Sequence, residues 1–375
     1  MPRILYFATE DWFFVSHFLP MVRAARCAEL DVSVATRTSK KAGRLTEEGL
    51  RVISFGADRG SLRLIAVFRD IFHAFQIIRA EDPDIVHCIG LRPVLVAGTA
   101  VRLAGARKLV LATTGLGHLW TVDTLRTRFL RGIIRFVVRK FLRGRNTHFL
   151  FENIDDPRDF RFDIAAPEVT IVGGAGVDPK EFPLMPDPPA PPVKVAVVAR
   201  MIEPKGIAMA VNVVRSAREF GADVELDLYG EPDPSNPLSI SEVRLREWSL
   251  EPGIRWQGYT ADVSAVWREH HIALYLSYYR EGLPRTIIEA AASGRPIVTT
   301  DTTGCREFVH DGREGFVVAP RDIDGAAHAI KLLADDPDLR ARMGAAAFAH
   351  FHHGYTEQAV GGVIEKLYRS LLTVR

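Results

Sequence analysis

Cysteine is scarce: Cys27, Cys88 and Cys305 are the only three in 375 residues. They are scattered, without metal-ligand spacing or the density of a disulfide scaffold, so a reducing compartment and no disulfide are expected. Long hydrophobic runs are missing as well. None reaches the roughly 18 residues that a membrane span requires. The opening Met1-Pro-Arg runs into a strand-like Ile4–Ala8 and then Glu10-Asp11, too short an apolar stretch for a secretory signal, and a cytoplasmic location is expected. Excess charge of one sign is also absent. With 48 basic and 46 acidic residues the net charge is +2, which argues against a polycationic nucleic-acid binder. The near-balance is uneven along the chain. Residues 1–190 carry 27 Lys+Arg against 21 Asp+Glu, and residues 191–375 carry 21 against 25. A hydrophobic fraction of 47% excludes disorder, and the length, at roughly 150 residues per domain, implies about two domains.

Short apolar strand candidates alternate with helix-period stretches from end to end, the α/β pattern of parallel sheets with crossover helices. Strands are predicted near 3–8, 31–36, 51–55, 84–88, 108–112, 147–151 and 169–172, with helices near 17–29, 63–80, 92–104 and 124–143. Residues 183–192 are too proline-rich for helix or inner strand and read as a stiff linker. A second series follows, with strands near 193–199, 224–229, 272–277 and 296–300 and helices near 206–219, 262–269 and 285–293. The reading is therefore two doubly wound, Rossmann-like lobes facing each other across a cleft. The expected division is a lobe over 1–182, the linker, a lobe over 193–354 and a terminal helix over 355–375 that crosses back to the first lobe. Ligands of such sheets sit beyond the carboxyl ends of strands, so the strand-to-helix loops are where chemistry is sought.

Two such loops in the second half stand out. In Ser277-Tyr-Tyr-Arg-Glu281-Gly-Leu-Pro284-Arg-Thr-Ile-Ile-Glu289 a strand ends, Gly282 lets a ligand approach the backbone, and Pro284 suits a first helical turn. The amides of that helix start favour an anionic or hydroxyl-rich ligand, and the two glutamates can accept from sugar and ribose hydroxyls; a capped helix with two solvated glutamates fits the same residues. In Val198-Ala-Arg200-Met-Ile-Glu-Pro-Lys205-Gly206 an arginine fork and a mobile lysine charge flank one loop, as diphosphate binding requires and as a solvated basic pair also allows. Asp82-Pro-Asp84 and Asp336-Pro-Asp338 fit helix capping better than metal binding.

Taken together, these segments resemble the retaining family 4 glycosyltransferases of GT-B fold. The likeness extends through Asp227-Leu-Tyr-Gly230, Trp256-Gln-Gly-Tyr259, Gly304-Cys-Arg-Glu307, Asp311-Gly-Arg-Glu-Gly315 and Gly173-Gly-Ala-Gly-Val-Asp178. Within the family the chain is most similar to bacterial enzymes that extend undecaprenyl-diphosphate-linked glycans, N-acetylgalactosaminyltransferases among them, through the Ser277–Arg285 segment, Thr113-Thr114-Gly115-Leu-Gly117 and Ser16-His17-Phe. The resemblance implies a UDP-sugar donor, a lipid-linked glycan acceptor, retention of anomeric configuration and no metal or other cofactor. Arg200 and Lys205 would then bind the diphosphate, Glu281 the donor sugar, and Gly282, Leu283 and Pro284 would lend backbone contacts. Glu289 would hold the ribose, Tyr259 the loop around the base, and Gly230 would line the same pocket.

The acceptor half carries looser signals. Relatives place a histidine directly after the 108–112 strand, whereas here His118 comes a few positions later, beyond Thr114 and Gly115. His17, with Glu10 and Asp11, flanks the first strand-to-helix turn, and His87 and Arg92 follow the 84–88 strand; acceptor or phosphate contacts, capping and packing are all open to them. In residues 125–143 arginines recur at 131, 135, 139 and 143 beside apolar pairs. The expectation is a helix with its apolar stripe on the sheet and its basic face outward, toward water or toward the anionic inner face of the plasma membrane. Two other readings fit the sequence, a relative acting on a small soluble acceptor and a non-catalytic sugar-nucleotide-binding protein.

Overall fold

The computed structural model describes residues 1–38, 42–56, 64–105 and 108–373. It divides into two units, Met1–Gly176 with Glu357–Arg375, and Val177–Thr356. The first holds seven strands: β1 (Arg3–Glu10), β2 (Asp31–Arg37), β3 (Arg51–Ser54), β4 (Ile85–Ile89), β5 (Lys108–Thr113), β6 (Thr147–Phe151) and β7 (Val169–Ile171), in the order β3-β2-β1-β4-β5-β6-β7. Every pairing is parallel. Inner strands such as Ile85-Val-His-Cys-Ile89 are buried along their whole length, as a sheet covered on both faces demands.

Two helices differ from expectation. The single helix predicted over 17–29 is two, Asp11–His17 and Leu19–Cys27, broken at Phe18 because Pro20 can open a helix but cannot continue one. The stretch predicted as one helix over 124–143 is α-helical over Leu125–Phe136 and then widens into π-helical turns over Val137–Leu142. Its orientation follows the expectation only in part: Ile134, Val137, Val138 and Leu142 pack on the core and Arg126, Arg128 and Arg143 are exposed, but other positions are turned the opposite way. Arg131, whose side chain is 14% exposed, folds inward to donate to the carbonyls of Leu119 at 2.8 Å and Val122 at 2.5 Å, and Arg135 donates to the Asp159 carbonyl. Leu125, Phe129 and Phe136 face outward, 85%, 70% and 66% exposed. Arginine can lie along a core and still satisfy its fork on loop carbonyls, and Leu125, Phe129 and Phe136 are left uncovered.

The terminal helix Glu357–Thr373 belongs to the first unit, packed on Leu19–Cys27, with Arg23 paired to Glu357. Its Tyr368 enters a buried chain of hydrogen bonds. Tyr6 Oη donates to the Met21 carbonyl at 3.1 Å, so the 2.8 Å bond between the two tyrosines must come from Tyr368. That leaves His87 Nδ1, 2.7 Å from Tyr368 Oη, as the donor. His87 lies inside β4 and not in the loop after it, and its Nε2 has no hydrogen-bond partner. Burial therefore pushes the imidazole down from the usual 6.5 to about 3. Because the folded value lies below the unfolded one, the unfolded chain takes up the proton first. This contribution is intact above about pH 6.5 and is lost as pH falls toward 3. Urea titrations of wild type at pH 7 and pH 5 should differ by about 2 kcal/mol from this residue alone. His87→Asn, which keeps a donor at the δ position but cannot titrate, should remove that part of the difference.

The second unit holds β8 (Val193–Val198), β9 (Val224–Tyr229), β10 (Ile254–Gly258), β11 (Ile272–Tyr275), β12 (Ile297–Thr300) and β13 (Gly315–Val318), in the order β10-β9-β8-β11-β12-β13. All of its pairings are parallel too. The two edge strands were not among those predicted. In β10 the polar Arg255 and Gln257 are held by the buried Asp227 of β9, at 2.8 and 2.9 Å, a pairing that hydrophobic periodicity cannot reveal. The proline-rich 183–192 stretch, read as a linker, lies within this unit. Asp187 is clamped by the buried Arg295 at 3.0 Å and Arg340 at 2.8 Å, while the Pro188 carbonyl meets His271 Nε2. Among the described residues no helix is long and apolar enough to cross a membrane.

Candidate functional site

In the second sheet the chain runs outward from β8 through β9 to β10, and from β11 through β12 to β13. The neighbouring strands β8 and β11 thus flank the point where the winding reverses, and their carboxyl ends carry the two loops singled out in the sequence. After β8 a single tight turn, Glu203–Lys205, ends at Gly206, whose φ is +73°. A Cβ at Gly206 would lie 2.2 Å from the Leu276 carbonyl oxygen, so the close approach of the two loops requires glycine there. The Pro204 carbonyl then accepts from the Tyr278 amide at 3.1 Å, fastening one loop to the other.

This fastening brings Lys205 to Glu281. Lys205 Nζ donates to Glu281 Oε1 at 2.7 Å and Oε2 at 2.8 Å and also reaches Tyr275 Oη. Ser277 Oγ and Tyr275 Oη add bonds to Oε1 at 2.8 and 3.2 Å. Burial alone would raise the Glu281 carboxyl, but the lysine charge and these donors outweigh it and hold the group below the usual carboxylate range. Burial also keeps the Tyr275 phenol protonated, far above its ordinary value. The result is an ionised pair, largely out of water, whose ammonium can turn to a phosphate oxygen without leaving its carboxylate.

Only some of the other residues predicted in this unit adjoin the pair. Arg200 is half-exposed, pairs with Asp233 at 2.8 Å and stands close enough for its charge to lower the Tyr275 phenol. Gly282, Leu283 and Pro284 are buried, and Leu283 is part of the core. A Cβ at Gly304 would lie 2.1 Å from the Gly282 carbonyl oxygen, so this turn too is tightly covered. Glu289 stands apart from Glu281. It is buried on the helix Arg285–Ala292 and accepts from Arg285 Nε at 2.6 Å; burial raises its carboxyl and Arg285 pulls it back. Gly230, at φ +139°, lies where a Cβ would come within 1.8 Å of the Ala199 carbonyl oxygen, next to Arg200. Tyr259 follows the edge strand β10 and is exposed.

Family comparisons bear on both sheets. Residues 3–148 match the family model described as glycosyl transferase 4-like, and residues 192–336 match glycosyl transferases group 1. The chain is a glycosyltransferase. Its fold is that of GT-B glycosyltransferase structures: an Anabaena protein, Alr3699/HepE, solved with UDP and glucose, superposes with a TM-score of 0.75 at 17% identity, covering 99% of this chain and 100% of that one. Sucrose-phosphate synthase from Thermosynechococcus elongatus gives 0.79 at 16% identity, covering 100% of both. In sequence, the N,N'-diacetylbacillosaminyl-diphospho-undecaprenol alpha-1,3-N-acetylgalactosaminyltransferase of Campylobacter jejuni is 22% identical over 347 residues, 88% of this chain and 89% of that protein.

In the first unit of the glycosyltransferase the predicted residues are spread over several elements. Thr114 and Gly115 follow β5, near Gly90 at the end of β4. His17 ends a helix instead of beginning one, its Nδ1 2.7 Å from Ser16 Oγ and its ring against Phe13. Arg92 is drawn to the buried Asp70 at 2.8 Å, so its charge is already balanced within the unit. His118 lies in the short helix Gly117–Thr121, and its side chain is outside the described residues. Sequence reasoning missed Tyr275 and Arg285. Tyr275 could have been found as a polar-tipped residue ending an otherwise apolar strand, and Arg285 from its spacing of four before Glu289.

Proposed function

We propose that this enzyme moves a hexose or N-acetylhexosamine from a UDP-sugar to a lipid-linked glycan, an undecaprenyl-diphosphate type acceptor, with retention of configuration, in bacterial polysaccharide assembly. The observation that carries it is the Lys205–Glu281 pair at the carboxyl ends of β8 and β11. Supporting it are the UDP complex of the Anabaena neighbour and the acceptor named for the Campylobacter jejuni relative. In this reading Lys205 and Arg200 neutralise the departing diphosphate together with the amides at the start of the Arg285–Ala292 helix, and no metal ion is called on. Glu281, held ionised, orients the sugar hydroxyls, and Glu289 takes the ribose. The anomeric carbon–oxygen bond to the diphosphate breaks, the acceptor oxygen bonds on the same face, and the acceptor proton passes to the leaving phosphate oxygen. The exposed apolar side chains of the Leu125–Phe136 helix, with Ile65, Phe68 and Phe72 on Leu64–Glu81, suit insertion at a lipid surface where such an acceptor is held.

Thermal shift against a panel of nucleotides tests the donor half of this proposal. One nucleoside diphosphate, expected to be UDP, should stabilise the wild type, and the shift should vanish in Lys205→Ala and shrink in Glu289→Ala. Incubation of the UDP-sugar with a synthetic polyprenyl-diphosphate glycan should then give a product whose anomeric proton coupling matches that of the donor. An inverted product, or equal transfer to a free sugar, would overturn the retention or the lipid-acceptor part respectively.

A further inference from the structure

Outside the donor loops, one cluster in the second unit has no part in the reaction proposed above. His310 and Glu314 lie on the loop entering β13, and His350 lies near the end of the helix Pro337–Gly354. By topology this loop meets the amino ends of the strands, since the Ile297 amide at the start of β12 donates to the Glu314 carbonyl. The donor loops leave from the other end of the sheet.

Glu314 is completely buried. Its Oε2 accepts from the His310 amide at 2.8 Å and lies 3.0 Å from His310 Nδ1. Its Oε1 lies 3.2 Å from His350 Nδ1, yet neither of those two buried atoms makes a hydrogen bond. The His350 ring is fixed, stacked on Phe308 at 4.6 Å and edge-on to Tyr355 at 5.1 Å. An imidazole nitrogen that bonds no protein group can present its lone pair to a metal ion. A lone pair and a carboxylate oxygen in contact repel each other unless a cation lies between them.

The distances suit such a cation. Two ligands at about 2.05 Å from a tetrahedral zinc ion are about 3.3 Å apart. The 3.2 Å separation of Glu314 Oε1 and His350 Nδ1 is close to that value, while His310 Nδ1 hydrogen-bonds Oε2 at 3.0 Å. The candidate ligand atoms of all three residues lie within 4.8 Å of one another, and the exposed His310 can swing to close the widest gap. Arg313 Nε, 3.3 Å from Oε1, is the competing positive charge, on a side chain that is mostly exposed and able to move away. Two imidazoles and a carboxylate select a borderline transition ion such as zinc over magnesium or calcium.

We propose that His310, Glu314 and His350 form a structural zinc site that ties the loop entering β13 to the Pro337–Gly354 helix, with water as the fourth ligand. The site lies away from the Lys205–Glu281 pair and does not depend on the proposed reaction. After EDTA treatment and desalting, zinc at roughly a hundredfold excess over its Kd should raise the melting temperature by about 5 °C or more, and magnesium should not. Gel-filtered protein should retain about one zinc per chain by elemental analysis, and cobalt(II) should give the intense visible absorption of a four-coordinate ion. His310→Ala, which removes an exposed ligand, should melt within about 1 °C of wild type in EDTA. It should nevertheless lose most of the zinc response. A wild type that neither retains zinc nor responds to it, or a His310→Ala variant that responds equally, overturns the proposal and leaves Arg313 as the partner of Glu314. None of these readouts requires turnover, so failure of the metal site is distinct from failure of the transferase reading.

Discussion

Lys205→Met is expected to lower sugar transfer by about two to three orders of magnitude and to destabilise the protein by about 3–5 kcal/mol, for two separable reasons. Loss of activity follows from removing the charge proposed to meet the departing diphosphate. Loss of stability follows from Glu281, a largely buried carboxylate whose ammonium partner is gone while the neutral hydroxyls of Ser277 and Tyr275 stay as donors. The double variant Lys205→Met with Glu281→Gln distinguishes them. It removes both charges, so urea unfolding should recover much of the lost stability while transfer stays at or below the level of the single variant. Recovery of transfer in the double variant would mean that Lys205 serves only to neutralise Glu281, and the proposed chemistry would fail.

The second large effect is expected at the lipid surface. Changing Leu125, Phe129 and Phe136 together to Ser should lower partitioning onto vesicles containing anionic lipid by at least about 100-fold, since each large apolar side chain contributes roughly 1.5–3 kcal/mol on full burial. Exposed Arg126, Lys140 and Arg145 should make the binding salt-sensitive, at about 1 kcal/mol for each charge near the membrane. Arg131→Gln should leave partitioning nearly unchanged but weaken the fold, because that guanidinium is bonded to the carbonyls of Leu119 and Val122. Sedimentation with vesicles at low and high salt reads all three. Equal partitioning of the apolar triple variant and the wild type would remove the membrane from the proposal.

The seven strands of the first sheet, the four inner strands of the second and the position of its two strand-to-helix loops were legible because apolar runs and glycine positions are local properties, whereas the helices Ile323–Asp335 and Pro337–Gly354 were not. The direction of the Leu125–Phe136 helix was not. Periodicity shows that arginines and apolar residues occupy different faces, but which face turns inward depends on distant partners, here the carbonyls of the 119–122 segment and of Asp159. The edge strand β10 was hidden for a similar reason, since Arg255 and Gln257 earn their place through Asp227 in another strand. At the loops after β8 and β11, the sequence named Lys205, Glu281 and Glu289 but could not say that Glu281 binds the lysine whereas Glu289 turns to Arg285 on its own helix. Nor could it bring together the distant His350 and the His310–Glu314 loop.

The placement of the terminal helix bears on biogenesis. The second unit begins at Val177 and ends at Thr356, residues joined by a β-bridge, so its ends meet and all of it is contiguous in the chain. The first unit is interrupted by it. Tyr368, the partner of Tyr6 and His87, is synthesised only after the whole second unit, so the Tyr6 and His87 strands wait for their partner while the inserted unit can close on itself earlier. Truncation just before Glu357 is therefore a lesion of the first unit, although the break lies beside the second.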